Sequence, residues 1–353
     1  MRIGIVNDVA LAREALRRVV LSTAEHEVAW MATDGAEAVA MARANRPDLV
    51  LMDLLMPHVD GVEATKRIMG EAACAILIVT ASVSGHLSKV YQAMGYGALD
   101  AVDTPILGPR GDIAGAAVLL HKIEIIGRLI GKTPAPTPGA SFSGLGALAS
   151  VRGARLHVPL VVLGASTGGP QALAEILAGL PASLAVIIVQ HVDAAFAPGL
   201  GQWLAEQSSR PVSLIVEADT IEPGRVLLSN TDDHLVLGND GRLHYTSEPR
   251  EASYRPSVDV FFSSLARGWS TPGVAALLTG MGKDGAGGLL ELRQAGWRTI
   301  AQDESTSIVW GMPRAAVTLG AAEHVLPLSG IAPAIARLVP AAVAEKRRSS
   351  SQL

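Results

Sequence analysis

Three times in the C-terminal half of this chain, an apolar, strand-like run ends at a residue able to do chemistry. The runs at 159–165, 185–190 and 273–280 lead into Ser166, His191 and Asp284. Neighbouring parallel strands end on the same rim of a sheet, which is where α/β proteins place their catalytic residues. The pattern therefore predicts that a serine, a histidine and an aspartate meet in space as a hydrolase triad.

The composition is that of a two-domain α/β protein. At 353 residues the chain is long enough for two hydrophobic cores, and 49% of it is apolar while only 4% is aromatic. Cores built mainly from Ala, Val, Leu and Ile suit parallel sheets that are covered by helices.

Charge and cysteine content predict a cytoplasmic protein without a nucleic-acid partner. A formal net charge of −4 provides no basic surface for nucleic acid or for an anionic membrane. Cys74 is the only cysteine, which excludes an internal disulfide and favours a reducing compartment. A strand pattern starts at once, without a signal peptide, and no apolar run reaches the roughly 18 residues of a membrane span, so we expect no membrane insertion.

Changes in composition divide the chain into four segments. Residues 1–130 alternate strand and helix patterns and predict a (βα)5 unit with a parallel sheet. Residues 131–157 begin with a Pro-, Gly- and Thr-rich stretch that cannot bury much surface, which predicts a linker. Residues 158–345 predict a doubly wound, mostly parallel α/β domain, and we expect the polar tail at 346–353 to fray.

Hydrophobic periodicity places the individual elements. The predicted N-terminal strands are Arg2–Asn7, Glu27–Ala32, Leu49–Asp53, Ala75–Thr80 and Leu99–Val102. The predicted helices are Leu11–Leu21, Ala36–Ala44, Val62–Met69, Leu87–Met94 and Ala114–Ile130. In the C-terminal domain, Gly238–Gly241 predicts a hairpin turn between the strands Leu235–Leu237 and Leu243–Tyr245.

Polar residues also follow the predicted N-terminal strands: Asp8, Asp53, Thr80 and Thr104. Two carboxylates on one rim can hold a hard divalent cation such as Mg2+, and one of them can attack a phosphoryl group. Thr80 is placed to hydrogen-bond a phosphoryl oxygen. Alternatively, Asp8 is a helix N-cap and Asp53 an ordinary strand-end carboxylate, and composition alone does not separate the two interpretations.

The stretch Leu51–Gly61, which contains Asp53, resembles the phospho-acceptor segment of two-component receiver domains, and Val79–Ala81 matches as well. The resemblance covers the N-terminal domain and implies a flavodoxin-like receiver fold. It also implies that Asp53 accepts a phosphoryl group from a histidine kinase, that Asp8 and Asp53 bind Mg2+, and that Thr80 changes position on phosphorylation.

Two positions depart from the receiver pattern. Asn7-Asp8 stands where an acidic pair is usual, and Thr104 stands where a lysine usually precedes the proline. One anion and one cation are therefore lost, and the formal charge of the pocket is unchanged. We hypothesise that the losses compensate, with weaker Mg2+ binding and with phosphorylation retained at an altered turnover or with a weaker switch.

The sequence Gly164–Gly168 fits the G-x-S-x-G nucleophile elbow, with a strand before it and a helical pattern after it. Backbone amides at the start of that helix favour developing negative charge. A glycine-rich turn can instead hold a nucleotide phosphate, although the Gly-Lys-Ser/Thr ending of a P-loop is missing. The chain order Ser, His, Asp differs from the order Ser, Asp, His of α/β-hydrolases, so a triad here belongs to a different fold.

Five motifs resemble the chemotaxis methylesterase family CheB: Gly164–Pro170, Gln190-His191, Pro223–Val226, Arg255–Asp259 and Leu278–Gly285. With the receiver and the linker, the resemblance covers nearly the whole chain. It implies a protein-glutamate methylesterase and glutamine deamidase that acts on chemoreceptors and is phosphorylated by a CheA-type histidine kinase. The variants at Asn7 and Asp103–Pro105 resemble the branch that serves Wsp-type chemosensory systems.

The same resemblance assigns roles within the site. It implies a triad made of the nucleophile Ser166, the base His191 and the orienting residue Asp284. Met281 would contribute a backbone amide to the oxyanion site, and Thr167 would contact substrate or cap the following helix. His234 and Arg255 lie in family motifs and are candidates for lining the cleft.

Other functions stay open on the sequence alone. One alternative is a receptor-docking regulatory module with weak or unregulated esterase activity. A degenerate methylesterase that only docks receptors would need a broken triad, and the triad letters are intact. A nucleotide-binding regulator would use 164–170, and a DNA-binding regulator would need a basic helical motif that the C-terminal half lacks. A receiver joined to a hydrolytic domain suggests regulation by occlusion, in which the receiver covers the triad until Asp53 is phosphorylated.

Overall fold

Two parallel β-sheets with helices on both faces make up the structure, as the predicted α/β class requires. The computed structural model describes residues 1–108, 112–131, 158–252 and 254–339. Each sheet separates two hydrophobic clusters. The central strands are therefore buried on both faces, which explains their unbroken apolar sequences.

The N-terminal unit is a five-stranded parallel sheet in the order β2-β1-β3-β4-β5, which confirms the predicted receiver fold. Its elements are β1 (Arg2–Val6), α1 (Ala10–Leu21), β2 (Glu27–Ala32), α2 (Gly35–Ala44), β3 (Leu49–Met52), α3 (Gly61–Glu71), β4 (Ala75–Thr80), a 3-10 helix (Ser84–His86), α4 (Leu87–Gly95), β5 (Asp100–Asp103), β6 (Ile106–Leu107), β7 (Ile113–Ala114) and α5 (Ala116–Leu129).

The last receiver helix begins later than predicted. Ala114 was expected inside a helix, but Ile113–Ala114 pairs antiparallel with Ile106–Leu107 in a small hairpin, and α5 begins only at Ala116. The pairing satisfies backbone groups that a further helical turn would otherwise satisfy. Tertiary pairing thus overrides the local helical periodicity.

The C-terminal unit is a seven-stranded parallel sheet in the order β10-β11-β9-β8-β14-β15-β16. Its elements are β8 (Leu160–Ala165), α6 (Gly169–Gly179), β9 (Ala185–Gln190), α7 (Ala197–Ser208), β10 (Val212–Leu214), β11 (Val226–Leu228), β12 (His234–Leu237), β13 (Leu243–Thr246), α8 (Val258–Gly268), β14 (Val274–Leu277), α9 (Ala286–Gln294), β15 (Arg298–Gln302), α10 (Met312–Thr318), β16 (His324–Leu326) and α11 (Leu328–Leu338).

The strand order reverses at the centre of this sheet. Strand β8 lies between β9 and β14, and α6 leads from β8 to β9 while α9 leads from β14 to β15, away from that pair. Open α/β sheets bind their ligands at the carboxyl ends of strands where the order reverses. The three strands that precede Ser166, His191 and Asp284 are these adjacent strands.

The predicted hairpin between β12 and β13 is present as a separate antiparallel pair. The amide of Gly241 donates to the carbonyl of Gly238, and the amide of Gly238 donates to the carbonyl of Arg242, which closes the turn. This hairpin packs on α8.

The two units are in contact through α4 of the receiver, which packs against α6 and α7 of the C-terminal unit. The hydroxyl of Tyr91 donates to the carbonyl of Phe196 at 3.0 Å, across the boundary. The rings of Tyr91 and Trp203 lie with their centroids 6.0 Å apart. Helices α6 and α7 begin shortly after Ser166 and His191 in the sequence. Because α4 contacts both helices, it lies near the carboxyl edge of the sheet, where those two residues are.

Most of the predicted linker, residues 132–157, and the predicted tail lie outside the described residues. Within the described ranges, none of the helices has the length and apolar character needed to cross a membrane.

Candidate active site

Ser166 occupies the turn directly after β8 and is 9% exposed. Its amide donates to the carbonyl of Thr279 at 3.0 Å, which ties the turn to the segment after β14. Gly280 allows this approach, because a Cβ there would lie 2.8 Å from the Cβ of Ser166. Two neighbouring strand ends are thereby joined at the serine.

His191 follows β9, and backbone pairing holds it beside the serine turn. Its amide donates to the carbonyl of Ala165 at 3.0 Å, in continuation of the β8–β9 ladder. The side-chain amide of Gln190 donates to the carbonyl of Ser166 at 2.8 Å. The backbones of Ser166 and His191 therefore lie side by side, since adjacent strands run about 4.8 Å apart.

Asp284 receives hydrogen bonds from the histidine and from the start of α8. His191 Nε2 lies 2.7 Å from Asp284 Oδ2. The hydroxyl of Ser257 donates to Oδ1 at 2.7 Å, and the amides of Val258 and Asp259 donate at 2.6 and 3.2 Å. A helix N-terminus is a favourable place for a carboxylate, because its free amides and its dipole both stabilise negative charge.

These contacts decide the ionisation of two neighbouring carboxyls. Burial alone would raise the pKa of Asp284, but hydrogen bonds from His191 and Ser257 outweigh it and lower the pKa below its usual value. The pKa of Asp259 is raised to about 7, first by burial and then by the charge of Asp284. One carboxyl is therefore kept ionised beside the imidazole, while burial and the charge of that carboxylate favour protonation of its neighbour Asp259.

The state of Asp284 sets the tautomer of His191. An ionised carboxylate only accepts, so Nε2 must carry the proton, and Nδ1 of the neutral ring is left as an acceptor. Nδ1 is buried and has no hydrogen-bond partner among the described residues. The bond from the serine hydroxyl to Nδ1 is thus not formed in this arrangement, as is common in the absence of substrate.

The remaining predicted site residues lie on the same rim. Met281 follows Gly280 and is one peptide bond from the contact with Ser166. Thr167 is half-buried, and its carbonyl accepts a hydrogen bond from the Thr279 hydroxyl at 2.9 Å. Gly168, not Thr167, occupies the N-cap position of α6, so the predicted capping role of Thr167 is wrong.

His234 does not line the cleft. It is 0% exposed, its Nδ1 accepts from the amide of Ser257 at 3.1 Å, and its Nε2 lies 3.1 Å from the carbonyl of Pro249. Through these two contacts the buried histidine holds the segment before α8 in place. Arg255 lies on the exposed side of the same segment.

The receiver carries the second predicted site. Asp53 follows β3 and is 7% exposed, and the side-chain amide of Asn7 donates to its Oδ2 at 2.9 Å. Burial is the main cause that raises the pKa of Asp53 to about 6, and the charge of Asp8 adds to it. Asp8 itself is exposed. Asn7, which replaces one carboxylate of the usual pair, is thus a direct hydrogen-bond partner of Asp53.

Two buried threonine hydroxyls end the neighbouring strands. Thr80 is fully buried, and neither its hydroxyl nor that of Thr104 has a hydrogen-bond partner among the described residues. Unsatisfied hydroxyls are unusual in a core and suit a site that receives an oxygen-rich group. Within the described ranges, no group of three His, Cys, Asp or Glu side chains is arranged to hold a metal ion.

Sequence reasoning missed the residues that support the triad from α8. Ser257 and Asp259 were quoted within a motif without a role, and Tyr254 was not singled out. The signal for Ser257 was available, since a serine before an apolar helical run is a typical N-cap, and it does cap α8. The hydrogen bond from the same hydroxyl to Asp284 depends on tertiary structure and could not be predicted from the local sequence.

Comparison with known protein families gives two matches. The family described as CheB methylesterase matches residues 161–335, and the family described as response regulator receiver domain matches residues 3–110. These ranges contain the two rims described above.

Curated relatives are similar over almost their whole length. The protein-glutamate methylesterase/protein-glutamine glutaminase 1 of Burkholderia lata is 53% identical over 341 residues, which covers 96% of this chain and 99% of the relative. The protein-glutamate methylesterase/protein-glutamine glutaminase 3 of Pseudomonas aeruginosa is 49% identical over 346 residues, which covers 96% of this chain and 99% of that relative. The crystal structure of the Thermotoga maritima CheB methylesterase catalytic domain is 32% identical with a TM-score of 0.49, and the match covers 52% of this chain and 99% of that one.

The raised pKa of Asp53 predicts a pH-dependent gain in stability on replacement by asparagine. A carboxyl whose pKa rises from 3.8 to about 6 on folding costs nothing below the unfolded pKa. It destabilises the folded receiver increasingly as the pH rises from the unfolded pKa to the folded pKa, and the full cost remains at higher pH. After allowance for solvent screening, we expect Asp53→Asn to stabilise the protein by about 1–2 kcal/mol at pH 8. Differential scanning calorimetry at pH 8 and pH 4 measures this, and the pH 4 pair is the control. A gain of equal size at both pH values would contradict the assignment.

Proposed function

The chain belongs to the CheB methylesterase family with an N-terminal receiver domain, and we propose that it is a phosphorylation-regulated protein-glutamate methylesterase that acts through Ser166, His191 and Asp284. The observation that carries the proposal is the 2.7 Å contact between His191 Nε2 and Asp284, which leaves Nδ1 free as a base beside the Ser166 turn. The names of the relatives in Burkholderia lata and Pseudomonas aeruginosa agree with this chemistry.

The first half of the reaction forms an acyl-enzyme. The Ser166 hydroxyl attacks the γ-carbonyl carbon of a glutamate methyl ester while Nδ1 of His191 takes its proton. Asp284 stabilises the imidazolium that results, because the carboxylate already accepts from Nε2. The Met281 amide would donate to the oxyanion, and losing one such donor typically costs about 3 kcal/mol in the transition state. Collapse of the tetrahedral species expels methoxide, which leaves as methanol with the proton from His191.

The second half releases the glutamate. A water molecule attacks the acyl carbon, gives its proton to His191, and restores the Ser166 hydroxyl when the serine oxygen leaves and takes that proton back. A glutamine side chain passes through a similar tetrahedral species with ammonia as the leaving group. The proposal therefore includes glutamine deamidation, in keeping with the double name of the relatives.

Ser166→Ala should abolish methanol release from membranes that carry methylated chemoreceptors, because the alanine cannot form the acyl-enzyme. We expect a loss of about 10^4-fold or more in kcat, as for other serine triads. Ser183→Ala, at an exposed position after α6, is the matched control and should retain the wild-type rate. Methanol release by Ser166→Ala at more than a few per cent of the wild-type rate would contradict the proposal.

For the receiver, we propose phosphorylation of Asp53 by a CheA-type histidine kinase. Asp8 and Asp53 would hold Mg2+. A bound Mg2+ ion would neutralise part of the negative charge of the phosphoryl group. The residues fit a weak site, since burial and then the charge of Asp8 raise the pKa of Asp53, and a nearby cation would offset both effects. The unsatisfied Thr80 hydroxyl would donate to a phosphoryl oxygen. Assignment to a Wsp-type pathway in the cytoplasm stays a prediction from Asn7 and Thr104.

The contact between the units supports regulation by occlusion. Helix α4 begins a few residues after Thr80 and is hydrogen-bonded to Phe196, at the end of the segment that connects His191 to α7. A shift of Thr80 toward a phosphoryl group would disturb α4 and weaken its contact with Phe196 and Trp203. Moving a two-state equilibrium from mostly closed to mostly open needs about 5 kcal/mol of differential stabilisation. A chemoreceptor helix would then reach Ser166.

Tyr91→Phe should raise the methanol-release rate of the unphosphorylated protein. The substitution removes the hydrogen bond to the Phe196 carbonyl, and a loss of about 1 kcal/mol corresponds to a rise of about fivefold. The rate with saturating acetyl phosphate should stay unchanged. Tyr96→Phe, at the exposed end of the same helix, is the matched control. An unphosphorylated rate of Tyr91→Phe at or below that of the control would count against occlusion by α4.

A further inference from the structure

The ring of Tyr254 lies flat against the imidazole of His191. The two ring centroids are 4.5 Å apart, and the planes differ by 4°. Tyr254 is half-buried and precedes α8, the helix that binds Asp284. No role in the reaction described above uses this tyrosine.

The stack supplies an orientation that the hydrogen bonds do not. His191 is held at Nε2 by Asp284, while Nδ1 has no partner among the described residues. The torsion that turns a histidine ring about its stem has broad, roughly two-fold preferences. A flat neighbour on one face limits that rotation, so the plane of the imidazole, and with it the direction of Nδ1, is fixed.

The other end of Tyr254 lies against the loop that follows β14. A Cβ at Gly282 would lie 2.6 Å from the Tyr254 hydroxyl oxygen, and Gly282 has a φ of +83° that favours glycine. Met281, the proposed oxyanion donor, is the preceding residue. Tyr254 therefore spans from the base to the oxyanion loop and sets the distance between them.

The chemistry of the phenol fits a role in positioning. Burial, and then the charge of Asp284, raise the pKa of the Tyr254 hydroxyl, so the phenol remains neutral near pH 7. A neutral aromatic face attracts a cation. When His191 takes the serine proton, the face of Tyr254 stabilises the imidazolium from above, while Asp284 stabilises it from the edge.

We infer that Tyr254 is a positioning residue of the esterase, which holds the His191 imidazole in plane, stabilises its protonated form and fixes its spacing from the Met281–Gly282 loop. The inference rests on the proposed function of the Ser166 site. It concerns how the base is held, and it extends the site to a residue on the loop before α8.

The test compares Tyr254→Leu with Tyr254→Phe in the full-length protein. The probe is a helical peptide with one glutamate γ-methyl ester, and methanol release is followed from pH 5 to pH 9. Stacked aromatic pairs contribute an amount that corresponds to about 3- to 10-fold in rate, so kcat of Tyr254→Leu should fall by that factor or more. KM should change by less than about twofold, since substrate contacts are retained. Tyr254→Phe keeps the face and should retain most of the wild-type kcat.

The pH profile separates positioning from a general loss of structure. Without the aromatic face the imidazolium is less stable, so the acid limb of kcat/KM should move to lower pH in Tyr254→Leu and not in Tyr254→Phe. As a readout independent of activity, the His191 ring-proton NMR signal should lose its ring-current shift in the leucine variant. An unchanged limb with an unchanged His191 signal would overturn the inference, and so would equal losses in both variants. If Ser166→Ala hydrolyses the same peptide, the proposed function fails instead.

Discussion

The rim that carries Ser166 and His191 depends on the burial of one ionised carboxylate, that of Asp284. A buried charge is costly unless it is hydrogen-bonded on all sides, and Asp284 is satisfied by the histidine, by a serine hydroxyl and by two helix amides. The requirement explains why α8 must begin where it does. It also explains why His191 has its proton on Nε2 and its acceptor on Nδ1. Without this arrangement the rim would hold a serine and a histidine with no defined direction of proton transfer.

Both halves of the chain apply one rule of parallel sheets. Apolar strands are buried on both faces, and polar residues in the loops that follow the strands are then carried to the common edge. In the receiver this edge holds Asp53 and two threonine hydroxyls that have no hydrogen-bond partner in the described part of the chain. In the second unit it holds Ser166, His191 and Asp284. The receiver helix α4 connects the two edges, since it follows β4 in sequence and contacts α7 in space.

The strand ends could be predicted from the sequence, whereas the supporting contacts could not. Ser166, His191 and Asp284 follow long apolar runs. Their proximity in space can be predicted from the rule that neighbouring parallel strands end at the same edge of the sheet. The partner hydroxyl of Ser257 is 27 residues from Asp284, and Tyr254 reaches His191 from a loop without periodicity. His234 was misjudged because a buried, doubly bonded histidine and a cleft histidine look alike in sequence. The hairpin at Ile113–Ala114 likewise depends on pairing that no local pattern encodes.

The claim that Ser166 is a nucleophile activated by His191 is tested most directly by covalent labelling. An alkyl fluorophosphonate reacts with an activated serine oxygen and loses fluoride, and peptide mass spectrometry locates the adduct. The predicted result is an adduct on the peptide that contains Ser166, formed at least about tenfold more slowly in His191→Gln. An adduct that forms on Ser166 equally fast without the imidazole, or no adduct on Ser166 in the wild-type protein, would contradict the triad.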